Sequence, residues 1–283
     1  MSIHIMIGGI RFRFDSDFQI IVEKSLSSFL CIDEKYSDIS VKITCGEKRT
    51  DRPQVLMDGE DLLLEYYHQN NKIMCLAKGG KGGYLSTTTC NDTFTELECC
   101  LHIQPNESMR TIGNLLRLLP MCMILQKSNV LFFHASQIGV NKKGIIFTAP
   151  SGTGKTTQAK LWKKYRGAKL ICNDRTAIRD GKTYGYPVDG SEPVLSGEVL
   201  PLGAIVLLEQ GREDAVRKLN MKESLFKLFP QLIIDAWNQE SRLLAIEQLV
   251  SLAEQYPVYL FRCTKENSAV DCLEQQLKID GVI

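Results

Sequence analysis

APSGTGKT, at residues 149–156, decides how the second half of the chain is expected to fold. It has the spacing of a phosphate-binding loop, with Ala149 in place of the first glycine. The preceding GIIFT, at 144–148, is rich in β-branched and aromatic residues, and the following TTQAKLWKKY, at 156–165, has helix-forming spacing. A chance turn ahead of an ordinary helix is the alternative. The order of strand, glycine loop and helix favours a nucleotide-binding loop.

Each residue type in this loop has a physical role. Gly152 and Gly154 have no Cβ, so they can take positive φ and allow phosphates close to the backbone amides. Lys155 supplies a point charge to the β and γ phosphates, and the Thr156 hydroxyl can ligate magnesium. The sequence therefore predicts ATP and Mg²⁺ as cofactors. The residues expected to bind the nucleotide are consecutive: Pro150, Ser151, Gly152, Thr153, Gly154, Lys155, Thr156 and Thr157.

Three side chains are candidates for chemistry at the γ phosphate. Asp174 ends the run KLICND, where a carboxylate can accept a hydroxyl proton or hold the metal. His134 lies in the strand before the loop strand and is expected to neighbour Asp174. Glu198 precedes another buried strand and is expected to reach the metal. The alternatives are a turn-forming Asp, a hydrogen-bonded core His and an unrelated Glu.

Composition excludes several classes of partner. The chain has 283 residues, 44% hydrophobic and 24% charged, which is typical of a globular protein. Its 34 Lys and Arg balance 33 Asp and Glu, so neither nucleic acid nor an anionic membrane is expected to bind. A homo-oligomer is compatible with the sequence. Partner choice is expected to depend on a shaped site.

Cysteine usage and hydropathy predict a cytoplasmic protein. There are ten cysteines but no C-x-x-C pair, and the N-terminus has no signal-peptide pattern, so reduced thiols are expected. The apolar stretch at 112–126 is interrupted by Arg117 and Pro120, and it is shorter than the about 20 residues that span a membrane. A buried helix is predicted there instead.

Residues 1–105 are predicted to form an N-terminal β-rich domain. Short β-rich runs alternate there with Gly, Asn and Asp turn signals, and one helix is predicted near 17–30. The pattern indicates a mostly antiparallel sheet. The runs are IRFRF, DISVKI, QVLM, DLLLEYY, KIMCLA, GGYLST and FTELECCLHI.

A second domain is predicted over residues 106–283. It begins with ESMRTIGNLLRLLPMCMILQ, whose apolar spacing favours a helix. Strand-like runs then mix with helices near 155–165, 221–236 and 240–254 and a last helix at LEQQLK. The strand-like runs are VLFFHASQIGV, KGIIFTA, KLICN, AIVLLEQ and YPVYLFRC. The predicted fold class is α/β (α+β), with a mixed sheet in this domain.

The order of these residues resembles a known family. His134, the loop, AsnAsp at 173–174, and GluVal at 198–199 before a Gly-Ala-Ile-Val strand resemble the HPr kinase family and its relatives in peptide-modification gene clusters, including the lasso-peptide kinases. The second half is also similar to the wider phosphoenolpyruvate carboxykinase-like superfamily. The resemblance covers residues 106–283.

The resemblance implies roles for individual residues. His134, Lys155 and Asp174 match the family's catalytic histidine, loop lysine and proton-accepting aspartate. Thr156 and Glu198 match its metal ligands. Arg242, at the start of SRLLAIEQLV, resembles a family arginine near the phosphates; an exposed arginine on a helix is the alternative.

Two departures bear on the substrate. Many family members have two adjacent aspartates where this chain has Asn173 and Asp174, and the family's Arg-Gly segment is Leu200-Pro201 here. That segment belongs to enzymes that act on HPr, so HPr is not the expected acceptor. The first half shows no likeness to the HPr kinase N-terminal domain, so it is expected to recognise a different substrate.

The resemblance implies transfer of the γ-phosphoryl group of ATP to a Ser or Thr hydroxyl of a peptide or small protein, such as a ribosomally made precursor peptide. Rival hypotheses are a kinase for a small metabolite such as free serine, a carboxykinase-like reaction, and a non-catalytic nucleotide-binding regulatory module. Asn173 keeps the last hypothesis open. A carboxykinase needs further cationic groups that the sequence does not offer.

Overall fold

The computed structural model divides the chain into two compact units. The N-terminal unit comprises Met1–Ser128 with Asp235–Gln239, and the C-terminal unit comprises Asn129–Ile234 with Glu240–Ile283. The domain boundary predicted at residue 106 therefore falls inside the N-terminal unit. The structure describes residues 2–31, 36–46, 53, 57–69, 72–80, 83–188 and 194–283.

The N-terminal unit contains a sheet that is largely antiparallel. Its strands, across the described residues, are β1 Ser2–Ile7, β2 Ile10–Ser16, β3 Ile39–Cys45, β4 Met57–Glu60, β5 Leu64–Gln69, β6 Lys72–Lys78, β7 Tyr84–Cys90 and β8 Glu96–Leu101. They lie in the order β1-β2-β3-β8-β7-β6-β5-β4. Strand β3 pairs parallel with β2 and β8, and the other described neighbours pair antiparallel. This confirms the predicted mostly antiparallel sheet.

Period-two alternation explains why these segments form strands. In β2, Ile10, Phe12 and Phe14 are buried, while Arg11 and Arg13 point away from the core. Strand β1 was not among the predicted runs, although it pairs with β2 over its whole length. Of the predicted run QVLM, residues 54–56 lie outside the described part of the chain.

Two predicted helices of this unit differ from the observed elements. The single helix expected over 107–126 is instead α1 Ile112–Leu116 and α2 Met121–Lys127. Pro120 lies between them, and a proline cannot donate the amide that a continuous helix requires. The helix expected near 17–30 is a 3-10 helix over Lys24–Phe29.

The C-terminal unit contains a mixed sheet. Its described strands are β9 Leu131–Val140, β10 Lys143–Thr148, β11 Lys169–Cys172, β12 Arg175–Arg179, β13 Lys182–Gly185, β14 Val199–Gln210, β15 Ala215–Lys218 and β16 Val258–Cys263. The order is β10-β9-β12-β13-β14-β16-β15, with β11 on β9. Strand β10 also pairs parallel with β14, so β10 lies between β9 and β14.

Helices cover both faces of this sheet. They are α3 Lys155–Arg166, α4 Met221–Leu228, α5 Gln239–Gln255 and α6 Asn267–Ile279. Ile145 and Phe147 of β10 pack in one core with residues of α3 and α6, and Ile146 packs in another with residues of α4 and α5. The alternation of these three residues places both cores around the loop strand. The mixed α+β fold class is confirmed.

The hydropathy of the helices was compared with the needs of a membrane span only over residues 2–31, 36–46, 53, 57–69, 72–80, 83–188 and 194–283. In them, no helix combines the length and the apolar character that crossing a bilayer requires.

Candidate active site

The loop between β10 and α3 has the backbone conformation that its glycines predict. Gly152 has φ of +78° and Gly154 has φ of +118°, both in the left-handed region that favours glycine. Gly154 is also the N-cap of α3. The loop amides and the positive end of the α3 dipole therefore lie together at the carboxyl end of β10.

Lys155 closes the loop on itself. Its Nζ donates to the carbonyl of Ala149 at 2.8 Å and to the carbonyl of Pro150 at 3.3 Å. Burial lowers the pKa of Lys155, and the nearby Asp174 carboxylate opposes this shift. A partly desolvated ammonium interacts more strongly with an anion than an exposed one does.

A glutamine at the end of β14 braces the same loop. Thr148 of β10 is in register with Leu207 of β14, so Gln210 extends beyond the end of β10. Its Nε2 lies 3.3 Å from the carbonyl of Gly152 and 3.3 Å from that of Thr153. These two contacts hold carbonyls of the loop on the β14 side.

His134 and Asp174 are in contact. His134 Nε2 lies 3.1 Å from Asp174 Oδ1, and the side chains are 39% and 31% exposed, so solvent and a ligand can reach both. The backbone fixes the pair, because Ala135 N donates to the Asp174 carbonyl at 2.9 Å and His134 pairs with Arg175 across β9 and β12.

The Asp174 carboxyl is held in its ionised form. The hydrogen bond from His134 is the largest influence that lowers its pKa, against burial, with help from the charges of His134, Arg175 and Lys155. The influence of Lys155 connects this carboxylate electrostatically to the loop. The arrangement supplies a proton acceptor beside an anion-binding loop.

Asn173, the residue before Asp174, is buried. It is only 7% exposed, and its carbonyl accepts the Ser136 hydroxyl at 2.6 Å. The half-exposed carboxylate of Asp174 is the neighbour that faces outward. A carboxylate at position 173 would therefore be largely buried.

Glu198 is not brought to the loop. It precedes β14, and the register of Thr148 with Leu207 puts the loop at the opposite end of that strand. Counted along the chain at about 3.3 Å per residue, Glu198 is on the order of 30 Å from Leu207, the partner of Thr148. Its carboxylate pairs with the Lys169 ammonium instead. The predicted metal role of Glu198 has no support from this placement.

Arg242 lies in the first turn of α5 and is half-buried. Among the described residues, it lines neither of the two cavities that border the loop. Its predicted place near the phosphates stays a prediction.

These two cavities contain residues that the sequence analysis did not single out. One has a volume of 560 Å³ and is bordered by residues 150–153, Glu209 and Lys227, whose charged groups are 3.2 Å apart. The other has a volume of 340 Å³ and is bordered by Thr157, Gln158 and residues 263–266. The run AIVLLEQ, a buried strand ending in an acid and an amide, is the signal that could have indicated this edge.

Comparison with known proteins finds a likeness to solved structures but none to a family or a curated protein. No family model matches the sequence, and no curated protein matches it. The chain is similar to the HPr(Ser) kinase/phosphatase from Coxiella burnetii, at 11% sequence identity and a TM-score of 0.31. The likeness covers 53% of this chain and 97% of that chain. At this identity and TM-score, the match supports no conclusion about the function of this chain.

Proposed function

We propose that this protein is an ATP- and magnesium-dependent phosphotransferase of the HPr kinase-like type, which moves the γ-phosphoryl group to a Ser or Thr hydroxyl of a peptide or small protein. The observation that carries the proposal is the Asp174 carboxylate, which is paired with His134 at 3.1 Å and whose pKa is lowered first by that hydrogen bond and in part by the charge of the loop lysine. A binding module needs the loop alone; an ionised, half-exposed carboxylate beside it adds a proton acceptor.

The loop holds the polyphosphate. Backbone amides from Ser151 to Thr157, two of them on glycines with positive φ, surround an anion at the start of α3. Lys155 then exchanges loop carbonyls for phosphate oxygens. Positioning and charge neutralisation supply most of the catalysis in such reactions.

The residues present fit a magnesium ion bound together with ATP. Thr156 is half-buried in the first turn of α3, where its hydroxyl can serve as the protein ligand. Magnesium in such sites keeps waters and phosphate oxygens as its other ligands, so a cage of carboxylates is not required. When bound, the ion neutralises charge on the β and γ phosphates.

Asp174 accepts the proton of the acceptor. The hydroxyl oxygen forms a bond to the γ phosphorus, the bond from that phosphorus to the β–γ bridging oxygen breaks, and ADP leaves. The hydroxyl proton passes to the Asp174 carboxylate. His134 is a positioning residue that orients this carboxylate and keeps it ionised.

The acceptor class follows from the resemblance to peptide-modifying kinases, and the N-terminal unit is the proposed recognition domain. Free serine is the rival acceptor. Cytoplasmic location and action without nucleic acid or membrane partners belong to the same proposal. Mass spectrometry of a co-expressed precursor peptide, showing one added phosphate, would identify a peptide acceptor.

Activity is tested with purified protein, Mg²⁺, γ-labelled ATP and Ser-bearing peptides or free serine. We expect label to reach an acceptor with the wild type but not with Asp174→Asn. Asp180→Asn is the matched control, because the Asp180 side chain is 80% exposed at a turn of the same unit. Tight ATP binding without transfer to any acceptor would contradict the proposed kinase activity and favour a non-catalytic nucleotide-binding module.

A further inference from the structure

The 340 Å³ cavity, here called the helix-side cavity, lies beside the loop and the first turn of α3. Its walls come from Thr157 and Gln158 of α3, from Gln210, and from residues 263–266 after β16. The volume falls in the range of small-molecule sites. The proposed mechanism uses the loop amides at its edge but assigns no role to Gln158 or to residues 263–266.

Topology indicates which part of a nucleotide would enter this cavity. The loop strand β10 has β9 on one side and β14 on the other, and Asp174 lies on the β9 side. The helix-side cavity lies at the ends of β14 and β16. A polyphosphate whose γ end faces Asp174 therefore directs its nucleoside end toward β14 and β16.

The 560 Å³ cavity on this side is less suited to a nucleobase. No residue of α3 lines it, among those the structure describes, so it does not continue from the α-phosphate end at Thr157. It also contains the Glu209–Lys227 ion pair, with its oppositely charged atoms 3.2 Å apart. A neutral base in this cavity would remove water from the two charged groups without supplying an opposite charge to either.

Gln158 gives the helix-side cavity a directional group. It is 2% exposed, and its Nε2 donates to the Thr264 carbonyl at 2.8 Å. A carbonyl can only accept, so this bond fixes the amide with its nitrogen toward Thr264. Gln158 Oε1 then has no hydrogen-bond partner among the described residues. A buried acceptor without a donor favours a ligand that supplies one.

The wall that orients Gln158 is itself held in place. Thr264 N donates to Asp214 Oδ1 at 2.7 Å, and the Ser268 hydroxyl donates to Asp214 Oδ2 at 2.6 Å. Gly211 N also donates to the Cys263 carbonyl at 3.1 Å. The Thr264 carbonyl is thus fixed before a ligand arrives.

We infer that the helix-side cavity binds the nucleobase and that Gln158 Oε1 accepts a hydrogen bond from the 6-amino group of adenine. This inference rests on the proposed function and assigns the part of that site that recognises the base of its nucleotide. Hypoxanthine and guanine carry a carbonyl oxygen at the same position, which would place two acceptors together. The site therefore selects adenine nucleotides.

Calorimetry with three ligands tests the inference on the unmodified protein. The ligands are ADP, IDP, which differs from ADP at the 6-amino position and N1, and tripolyphosphate, which has no base. We expect ADP to bind about tenfold more tightly than IDP, as one hydrogen bond to a buried acceptor allows. Tripolyphosphate binding with equal ADP and IDP affinities would overturn this inference alone. Failure of all three to bind would overturn the proposed function as well.

A pair of variants locates the effect. Gln158→Leu should reduce the ADP preference to about twofold or less and leave tripolyphosphate affinity unchanged. Lys164→Met, on an exposed position of the same helix, should alter neither. An undiminished ADP preference in Gln158→Leu, or its loss in Lys227→Met instead, would place the base elsewhere and overturn the inference.

Discussion

Asp174 in the C-terminal unit and Asp235 in the N-terminal unit carry the same side chain in opposite surroundings. Asp174 is 31% exposed and its pKa is lowered, first by the His134 hydrogen bond. Asp235 is 2% exposed, and burial, with the charge of Asp61, raises its pKa to about 7. One is a carboxylate that can accept a proton; the other is largely protonated below neutral pH.

The side chains around Asp235 explain why its pKa is raised whereas that of Asp174 is lowered. The Tyr66 hydroxyl lies 3.0 Å from Asp61 Oδ2 and 3.4 Å from Asp235 Oδ1, so two acids share one phenol. The Trp237 ring packs on Tyr66 with centroids 5.0 Å apart. Among the described residues, the groups that shift the pKa of Asp235 include no cation, whereas Asp174 has Arg175 and Lys155 nearby. Surroundings, rather than residue type, separate a candidate catalytic base from a structural carboxyl group.

The largest expected effect is on the rate of phosphoryl transfer, which should depend strongly on Asp174 and little on Asp235. Asp174→Asn should lower the rate of phosphoryl transfer by about 10²- to 10⁴-fold, because the proton acceptor is removed. Asp235→Asn should change it by less than about threefold, since its amide resembles the protonated acid. The measurement is the initial rate with labelled ATP and an accepted peptide. Equal losses of rate in both variants would contradict the catalytic role assigned to Asp174 alone.

The second effect is a pH dependence of stability that originates in the N-terminal unit. The folded pKa of Asp235, about 7, exceeds its ordinary value of 3.8, so the folded state binds more protons between these values. Its contribution is therefore present below about pH 4 and is lost as pH rises through 7. The loss is about 4 kcal/mol at most, at 1.36 kcal/mol per pH unit.

Denaturant unfolding between pH 4 and pH 8.5 measures this loss. Asp235→Asn should flatten the decline in stability, and Asp92→Asn, at an exposed turn of the same unit, should leave it unchanged. A parallel decline in the wild type and Asp235→Asn would show that Asp235 titrates near its ordinary pKa.

A third variant disturbs the packing around Asp235 without changing a charge. A Cβ at Gly59 would lie 2.1 Å from Trp237 Cδ2, so Gly59→Ala forces the indole to move. We expect a loss of about 1–3 kcal/mol in the free energy of unfolding. Gly83→Ala, where an added Cβ meets nothing within 4 Å, is the control. Equal stability of the two variants would show that the indole is not packed as described.

The smallest effect concerns His134. His134→Gln removes the main cause of the low pKa of Asp174, so that pKa should rise. Because Asp174 must be ionised to accept a proton, the acidic limb of the transfer rate should move to higher pH, with less than about a tenfold loss at neutral pH. An unchanged pH–rate profile would mean that His134 does not control this carboxylate.

The sequence could predict the features that depend on residues close together along the chain. The loop was predictable because its glycines, Lys155 and the flanking strand and helix lie within a short stretch. The contact of His134 with Asp174 was also expected, and the structure places the two side chains together. Their catalytic roles stay predictions.

What the sequence could not predict depends on register and long-range packing. Glu198 precedes the strand parallel to the loop strand, but only the pairing of Thr148 with Leu207 shows that it lies at the far end. Asp235 contacts Tyr66 across 169 positions of the chain, and no local pattern indicates that contact. In the sequence, Gln158 cannot be told apart from other polar residues of a helix, because its hydrogen bond to the Thr264 carbonyl is a long-range contact.

Binding of Mg²⁺–ATP to Lys155→Met tests the central claim most directly, because it requires no knowledge of the acceptor. We predict that Lys155→Met weakens binding at least tenfold relative to the wild type, since a partly desolvated ammonium is lost from the phosphates. Lys164→Met, on the exposed part of the same helix, should bind as the wild type does. Equal affinity of the wild type and Lys155→Met would contradict the claim that this loop holds the nucleotide.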